Sequence, residues 1–184
     1  MAKSAQAVRT LPLAGRISGG PGVQLTPAAP AKRVSLRADA ANAKALSKAL
    51  GLDLPLQPKS SSGSLPGRLA AWLGPDEWLI IDETGDPLAD LGKAKVLHSA
   101  VDISHRNTAI MVSGKGARAT LESGCPQNLG DSVFPIGAAT RTVLGKIEVV
   151  IIRTAATDFR VECWRSFSTY AFDFLSESAR DCLA

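Results

Sequence analysis

Within one stretch of five residues, Asp102, Ser104, His105 and Arg106 bring together a carboxylate, a hydroxyl, an imidazole and a guanidinium. Nucleophilic and general acid–base chemistry uses these types: an imidazole takes a proton from a hydroxyl while a carboxylate orients the ring. In a strand, however, successive side chains point to opposite faces. Asp102, Ser104 and Arg106 then share one side and His105 takes the other. A triad is assembled in space, not in sequence, so this cluster reads as a strand-end turn or a contact with a partner.

A second stretch, Gly114-Lys115-Gly116-Ala117-Arg118-Ala119, matches G-x-G-x-x-A between a strand and a helix, the fingerprint of a dinucleotide-binding turn. The fingerprint also needs an acidic residue roughly 20 positions on, at the end of the next parallel strand. Here a Gly-Cys-Pro turn follows, and Asp131 arrives early with no clear strand before it. A tight strand-to-helix turn is the simpler reading. No P-loop motif is present. The two histidines, His98 and His105, and the cysteines at 125, 163 and 182 have no spacing that would hold zinc. No cofactor, metal or catalytic residue is assigned to this chain.

The elements that must carry these residues are short. Arg33–Ala38 alternates apolar and polar side chains as a strand, Asp39 is suited to cap a helix running to Leu50, and Gly51 stops it. Pro58 to Gly67 reads as a polar loop. Arg68–Leu73 and Glu77–Asp82 read as strands about the turn Gly74-Pro75-Asp76, with a short helix at Pro87–Gly92. Val96–Ser104 and Asn107–Ser113 form a second strand pair, and Gly116–Ser123 is helical. Thr140–Leu144, Ile147–Arg153 and Phe159–Trp164 suggest a meander, and a last helix begins at Ser166. Many strands, few helices and short turns give an α+β class with a mixed or antiparallel sheet.

The chain has 184 residues, 45% hydrophobic and 21% charged, which suits one compact domain and excludes disorder throughout. No apolar run approaches the roughly 18 residues of a membrane span, so no membrane partner is expected. Net charge is +4, but residues 1–33 hold five basic groups and no acid. The remainder has 16 basic and 17 acidic residues, a net of −1. Nucleic-acid binding needs a basic face on the folded body, and this charge distribution argues against one. Scattered cysteines suit a reducing compartment, and the cytoplasm is expected. Residues 1–32, rich in Ala, Gly and Pro, read as a flexible N-terminal arm, and 33–184 as a single domain.

Surface for neighbours is sought near the C-terminus. Phe167, Tyr170, Ala171, Phe174 and Leu175 fall on one helical face, which is expected to be buried. Phe172 lies about 140° away, with Leu183 close to its direction, and is expected to face a partner. On Phe159–Trp164, Trp164 alternates onto the same side as Arg160 and Glu162. Trp164 and Arg165 therefore join Asp102, His105, Arg106 and Phe172 as candidate interface residues.

The order of short segments adds a resemblance. Trp72-Leu73-Gly74-Pro75-Asp76-Glu77-Trp78-Leu79 is followed by Val101-Asp102-Ile103-Ser104-His105-Arg106-Asn107, then Gly124-Cys125-Pro126 and Phe134-Pro135-Ile136-Gly137. Thr140-Arg141-Thr142-Val143-Leu144-Gly145 and Arg165-Ser166-Phe167 complete the series. From Arg33 to Ala179 it resembles the gamma subunit of heterotetrameric sarcosine oxidase. Lys115 departs from it, standing where a proline is expected in the Gly-x-Gly turn. The resemblance implies a fold similar to the folate-binding domain of aminomethyltransferases, and alpha, beta and delta subunits as partners. It implies a complex that oxidises sarcosine to glycine, with formation of 5,10-methylenetetrahydrofolate and hydrogen peroxide. FAD, FMN, NAD, tetrahydrofolate and zinc would sit on the other subunits, and this chain would be a non-catalytic structural subunit. The alternative is a stand-alone folate-binding, aminomethyltransferase-like protein. The iron–sulfur assembly factors of that group carry Lys-Gly-Cys-Tyr, whereas Pro126 follows Gly124-Cys125 here.

Overall fold

Eleven strands and four helices make up residues 10–20 and 22–181, the part of the chain that the computed structural model describes. Two antiparallel sheets lie face to face. The first has the order β4 (Ser61–Gly63), β5 (Arg68–Gly74), β6 (Glu77–Asp82), β3 (Lys32–Arg37), β7 (Ser99–Asp102). The second has the order β1 (Ser18–Gly20), β2 (Val23–Pro27), β8 (Asn107–Ser113), β11 (Asp158–Trp164), β10 (Ile147–Arg153), β9 (Ala139–Leu144).

Each sheet carries helices on its outer face. On the first, α1 (Ala43–Leu50) and α2 (Pro87–Leu91) cover Val34, Leu36, Ala70, Trp78 and Ile80. Asp39 accepts from the Ala41 N–H to cap the 3₁₀ turn that leads into α1, and Gly51, in the left-handed region at φ 66°, ends the helix. On the second, α3 (Ala117–Glu122) and α4 (Ser168–Asp181) cover Ile110, Val112, Val149, Ile151, Phe159 and Val161. With both faces covered, β10 reads Ile-Glu-Val-Val-Ile-Ile-Arg and is buried at all but one position. The sequence alternation thus sorts each strand between a helix layer and an inner layer shared by the two sheets.

The N-terminal segment departs from the expected flexible arm. Residues 18–27 are strands, and β2 pairs with β8 through Gln24 with Ser113 to Pro27 with Ile110. Val23 and Leu25 are buried in the helix-side core. Two alternating apolar residues between Gly-Pro-Gly and Pro-Ala-Ala-Pro give almost no local signal. The free edge of β8 supplies the structure, since an unpaired strand edge binds a further strand. Residues 1–9 and 21, which belong to the same expected arm, lie outside the described residues, as do Cys182 and Leu183. The loop expected at 58–67 contains β4, whose three residues are fixed by pairing with β5.

Candidate functional site

The turn after β7 carries the residues that first suggested chemistry. Asp102 Oδ1 accepts from the Ser104 N–H at 2.8 Å. The Ser104 hydroxyl, and then its backbone N–H, hold the Asp102 carboxyl below the usual aspartate range. The same hydroxyl accepts from the Arg33 N–H at 2.8 Å, so it fastens this turn to β3. His105 is exposed and makes no hydrogen bond to Asp102 or Ser104 among the described residues. A serine engaged with backbone, and a histidine turned away, do not form a nucleophile and base.

The Gly-x-Gly turn is likewise filled by the chain itself. Gly116 N–H donates to Gly22 O at 3.0 Å, and a Cβ on Gly114 would stand 2.4 Å from that oxygen. Gly114 also sits at φ 113°, a conformation that favours glycine. These glycines let the N-terminal strand's backbone approach, in the place a phosphate would need. All strand pairings are antiparallel, so no βαβ unit stands behind the fingerprint. Gly124 answers a similar need, for a Cβ there would stand 2.4 Å from the Phe174 ring. Among the described residues no group of three His, Cys, Asp or Glu is arranged to hold a metal ion.

Arg106, Trp164 and Arg165 do come together. Arg165 N–H donates to Arg106 O at 2.7 Å, which joins the end of β11 to the turn after β7. The Arg106 guanidinium lies 4.8 Å above the Trp164 ring, and Trp164 stacks on Phe167 with centroids 5.7 Å apart and planes 17° from parallel. Trp164 and Phe167 are each 39% exposed and Tyr170 is 37% exposed. An aromatic ladder with two arginines at its edge has the composition of an interface anchor. Asp102 and His105 border it and line, with Arg165, a groove of about 830 Å3 beneath residues 27–31.

Phe172 is corrected. It is 1% exposed, packed in the helix-side core with the Arg16 guanidinium 4.3 Å over its ring. Arg16 is tethered there by Asp173. Phe167 lies in a 3₁₀ turn ahead of α4, but Tyr170, Ala171, Phe174 and Leu175 all lie within α4, which also carries a second apolar series at i, i+1, i+4 and i+8, Ala171, Phe172, Leu175 and Ala179, and it is this series that packs into the core. The buried stripe is Ser168, Ala171, Phe172, Leu175 and Ala179, while Phe167 and Tyr170 face outward.

One cluster escaped the sequence reading. On the inner layer Glu162 accepts from Arg33 Nε at 2.6 Å, from Arg33 Nη2 at 3.2 Å and from Arg160 Nε at 2.8 Å. Arg160 Nη1 donates to Glu83 at 3.1 Å. Alternation placed Arg160 and Glu162 opposite Phe159, Val161 and Cys163 and suggested an outer polar face. That face is the interior between the sheets. The signal was that strands β11 and β3 each carry charge on the face opposite their apolar one.

The fold defines a class, a double-sheet α+β domain with helices on both outer faces, here with an exposed aromatic and cationic ladder. Aminomethyltransferase T of the glycine cleavage system from Bartonella henselae shares the fold, with a TM-score of 0.61 at 14% identity over 87% of this chain and 49% of that one. Residues 35–181 match the sarcosine oxidase, gamma subunit family, and the chain belongs to that family. The gamma subunit from Corynebacterium sp. (strain P-1) is 32% identical over 88% of this chain and 84% of its own. That from an Arthrobacter sp is 33% identical over 71% and 67%. A chain of the heterotetrameric sarcosine oxidase from Corynebacterium sp. U-96, solved with pyrrole 2-carboxylate, superimposes with a TM-score of 0.85 at 27% identity. The match covers 94% of this chain and 91% of that one.

Proposed function

We propose that this chain is the gamma subunit of a heterotetrameric sarcosine oxidase, assembled with alpha, beta and delta subunits, and that it contributes structure rather than catalytic groups. The observation that carries the reading is the superposition over nearly the whole chain on a protein of that assembly. The complex would oxidatively demethylate sarcosine to glycine in the cytoplasm and form 5,10-methylenetetrahydrofolate and hydrogen peroxide. FAD, FMN, NAD, tetrahydrofolate and zinc would be held by the other subunits. No helix of the described residues is long and apolar enough to cross a membrane.

The contact surface in this reading is the ladder of Arg106, Trp164 and Phe167, flanked by Asp102, His105 and Arg165. Obligate subunit interfaces exceed about 2,000 Å2 and draw their binding energy from a few aromatic and arginine anchors. Two guanidiniums with exposed edges suit carboxylates on the partner.

The test is a native mass spectrum of the tagged chain purified gently from its own host. The expected result is an assembly with three further chains and bound flavin masses, and a bare monomer near 19.2 kDa would overturn the reading. Trp164→Ala with Arg106→Glu is expected to weaken assembly by at least about 2 kcal/mol, the usual threshold for interface anchors. An unchanged complex would remove this surface from the interface.

A further inference from the structure

The two sheets end in four edges, β1 and β9 on the larger and β4 and β7 on the smaller. An open edge is a row of unpaired N–H and C=O groups, and folded chains blunt it or cover it. Three of the four are dealt with inside the chain. β1 is three residues long, two of them glycine. β4 and the start of β9 close on each other, with the Ser61 N–H donating to Gly137 O at 2.9 Å and the Ala139 N–H to Lys59 O at 3.4 Å. Farther along β9, the Arg141 guanidinium reaches across to Glu77 and to Leu73 O.

β7 has none of these devices. It reads Ser-Ala-Val-Asp, without glycine, proline or lysine, and among the described residues it pairs only with β3. Its one charge, Asp102, is turned back onto the Ser104 N–H. The Ile103 N–H donates to Arg33 O at 2.9 Å. Alternation along the antiparallel ladder then bonds Val101 to Ser35 and turns the N–H and C=O of Ala100 and Asp102 away from β3. Apolar surface accompanies this edge, for Val101 is 52% exposed and Leu97, just before the strand, 88%.

The edge is continuous with the aromatic ladder. A tight turn, closed by the Arg106 and Asn107 N–H groups on Ile103 O, leads from β7 to Arg106 and its place over Trp164. Lys95 before the strand and Arg106 after it are exposed, and neither meets a carboxylate among the described residues.

We propose that an extended segment of a neighbouring subunit adds to β7 as a further strand of the smaller sheet. Its backbone pairs with Ala100 and Asp102, an apolar residue lies beside Val101, and carboxylates toward its ends meet Lys95 and Arg106. The inference rests on the subunit reading and deepens it: the ladder anchors the partner, and the open edge fixes the partner's backbone and register.

The test uses the assembly purified from the chain's own host. In it the Ala100 and Asp102 amides are expected to exchange hydrogen as slowly as that of Val101, which β3 already holds. Ala100→Pro removes an outward N–H, a substitution that an edge strand accepts, and is expected to raise the dissociation constant of this chain from the assembly at least about tenfold, read by native mass spectrometry on dilution. Ala100→Ser keeps the N–H and is expected to leave the assembly as tight as the parent. Val101→Glu, at an exposed side chain that does not threaten folding, is expected to weaken assembly by about the same factor as the proline. An intact assembly whose Ala100 and Asp102 amides exchange freely, or one that Ala100→Pro and Val101→Glu leave as tight as the parent, would overturn the strand addition and leave the subunit reading in place. Two copies of this chain joined at β7 would overturn the choice of occupant, and a parent chain that enters no assembly would overturn the subunit reading and the strand addition together.

Discussion

The inner layer between the sheets is built in two ways. Where β5 and β6 face β9 and β10, Leu69, Ala71, Leu79, Ile81, Val150 and Ile152 interdigitate without a charge. Where β3 faces β11, the same layer is Arg33, Glu162 and Arg160, closed at one end by Glu83. Both halves exclude water, and they differ in what they demand. The apolar half tolerates small changes of shape, because its cohesion is spread over many weak contacts. The charged half is all-or-none, because ions taken out of water are supported only by one another. Strength and specificity are thus divided between neighbouring strands of one interface.

The largest expected effect comes from breaking the charged half alone. Glu162→Leu leaves two guanidiniums facing each other without their shared carboxylate, and is expected to destabilise the chain by about 3–5 kcal/mol in urea denaturation. Replacing the whole cluster, Arg33→Met, Arg160→Met, Glu162→Leu and Glu83→Gln together, should return most of that loss. If the combined variant is no more stable than the single one, the charged half is not the isolated unit described here.

Asp82 gives an intermediate case, a buried carboxylate that is fully partnered at the rim. Burial pushes its carboxyl up, but the N–H groups of Gly85 and Thr84 and the Arg68 guanidinium outweigh it and leave it lowered. A lowered folded pKa adds stability above the unfolded aspartate range, and that stability drains as pH falls from about 4 through the folded value. Asp82→Asn is therefore expected to cost about 1.5–3 kcal/mol near pH 7, with the difference from the parent closing in strong acid. A pH-independent difference would count against it.

A smaller effect is expected from the apolar half. Ile152→Val removes one methylene from a fully buried side chain and should cost about 0.5–1.5 kcal/mol by thermal melting. A loss as large as that of Glu162→Leu would erase the contrast between the halves. The least perturbing probe is Cys163, on the helix side of β11. Burial, then the Glu162 charge and against a lesser pull from Arg33, pushes its thiol up to about 12. Iodoacetamide at pH 8 should leave Cys163 unmodified in peptide mapping until the chain is unfolded.

Legibility in the sequence followed the range of the cause. Asp39 as a cap, Gly51 as a stop and the tight connection between Thr140–Leu144 and Ile147–Arg153 act within a few residues, and all three stand where the residue types put them. The antiparallel α+β class followed from short turns between alternating strands. Phe172 is misplaced because α4 carries two overlapping apolar series, one through Phe174 and one through Phe172, and periodicity does not state which of them the core takes. Residues 18–27 were missed because their partner, β8, lies some 80 positions further on. The charged cluster was missed for a related reason. Arg33 and Glu162 are 129 residues apart, and alternation states which face a side chain takes but not whether that face is covered. Of the exposed ladder, Arg106, Trp164 and Arg165 are singled out by residue type alone, whereas Phe167 reads as core and stands 39% exposed.

The pairing of β2 with β8 has a consequence for synthesis. The five-stranded sheet is drawn from one unbroken stretch, residues 32–102, whereas the six-stranded sheet takes two strands from before that stretch and four from after it. On the ribosome, β2 emerges roughly 4–16 s ahead of its partner at about 5–20 residues per second. During that interval the five-stranded half can already close on α1 and α2, and Val23 and Leu25 wait without a strand to join. Val23 and Leu25, made early, are among the last to find their place.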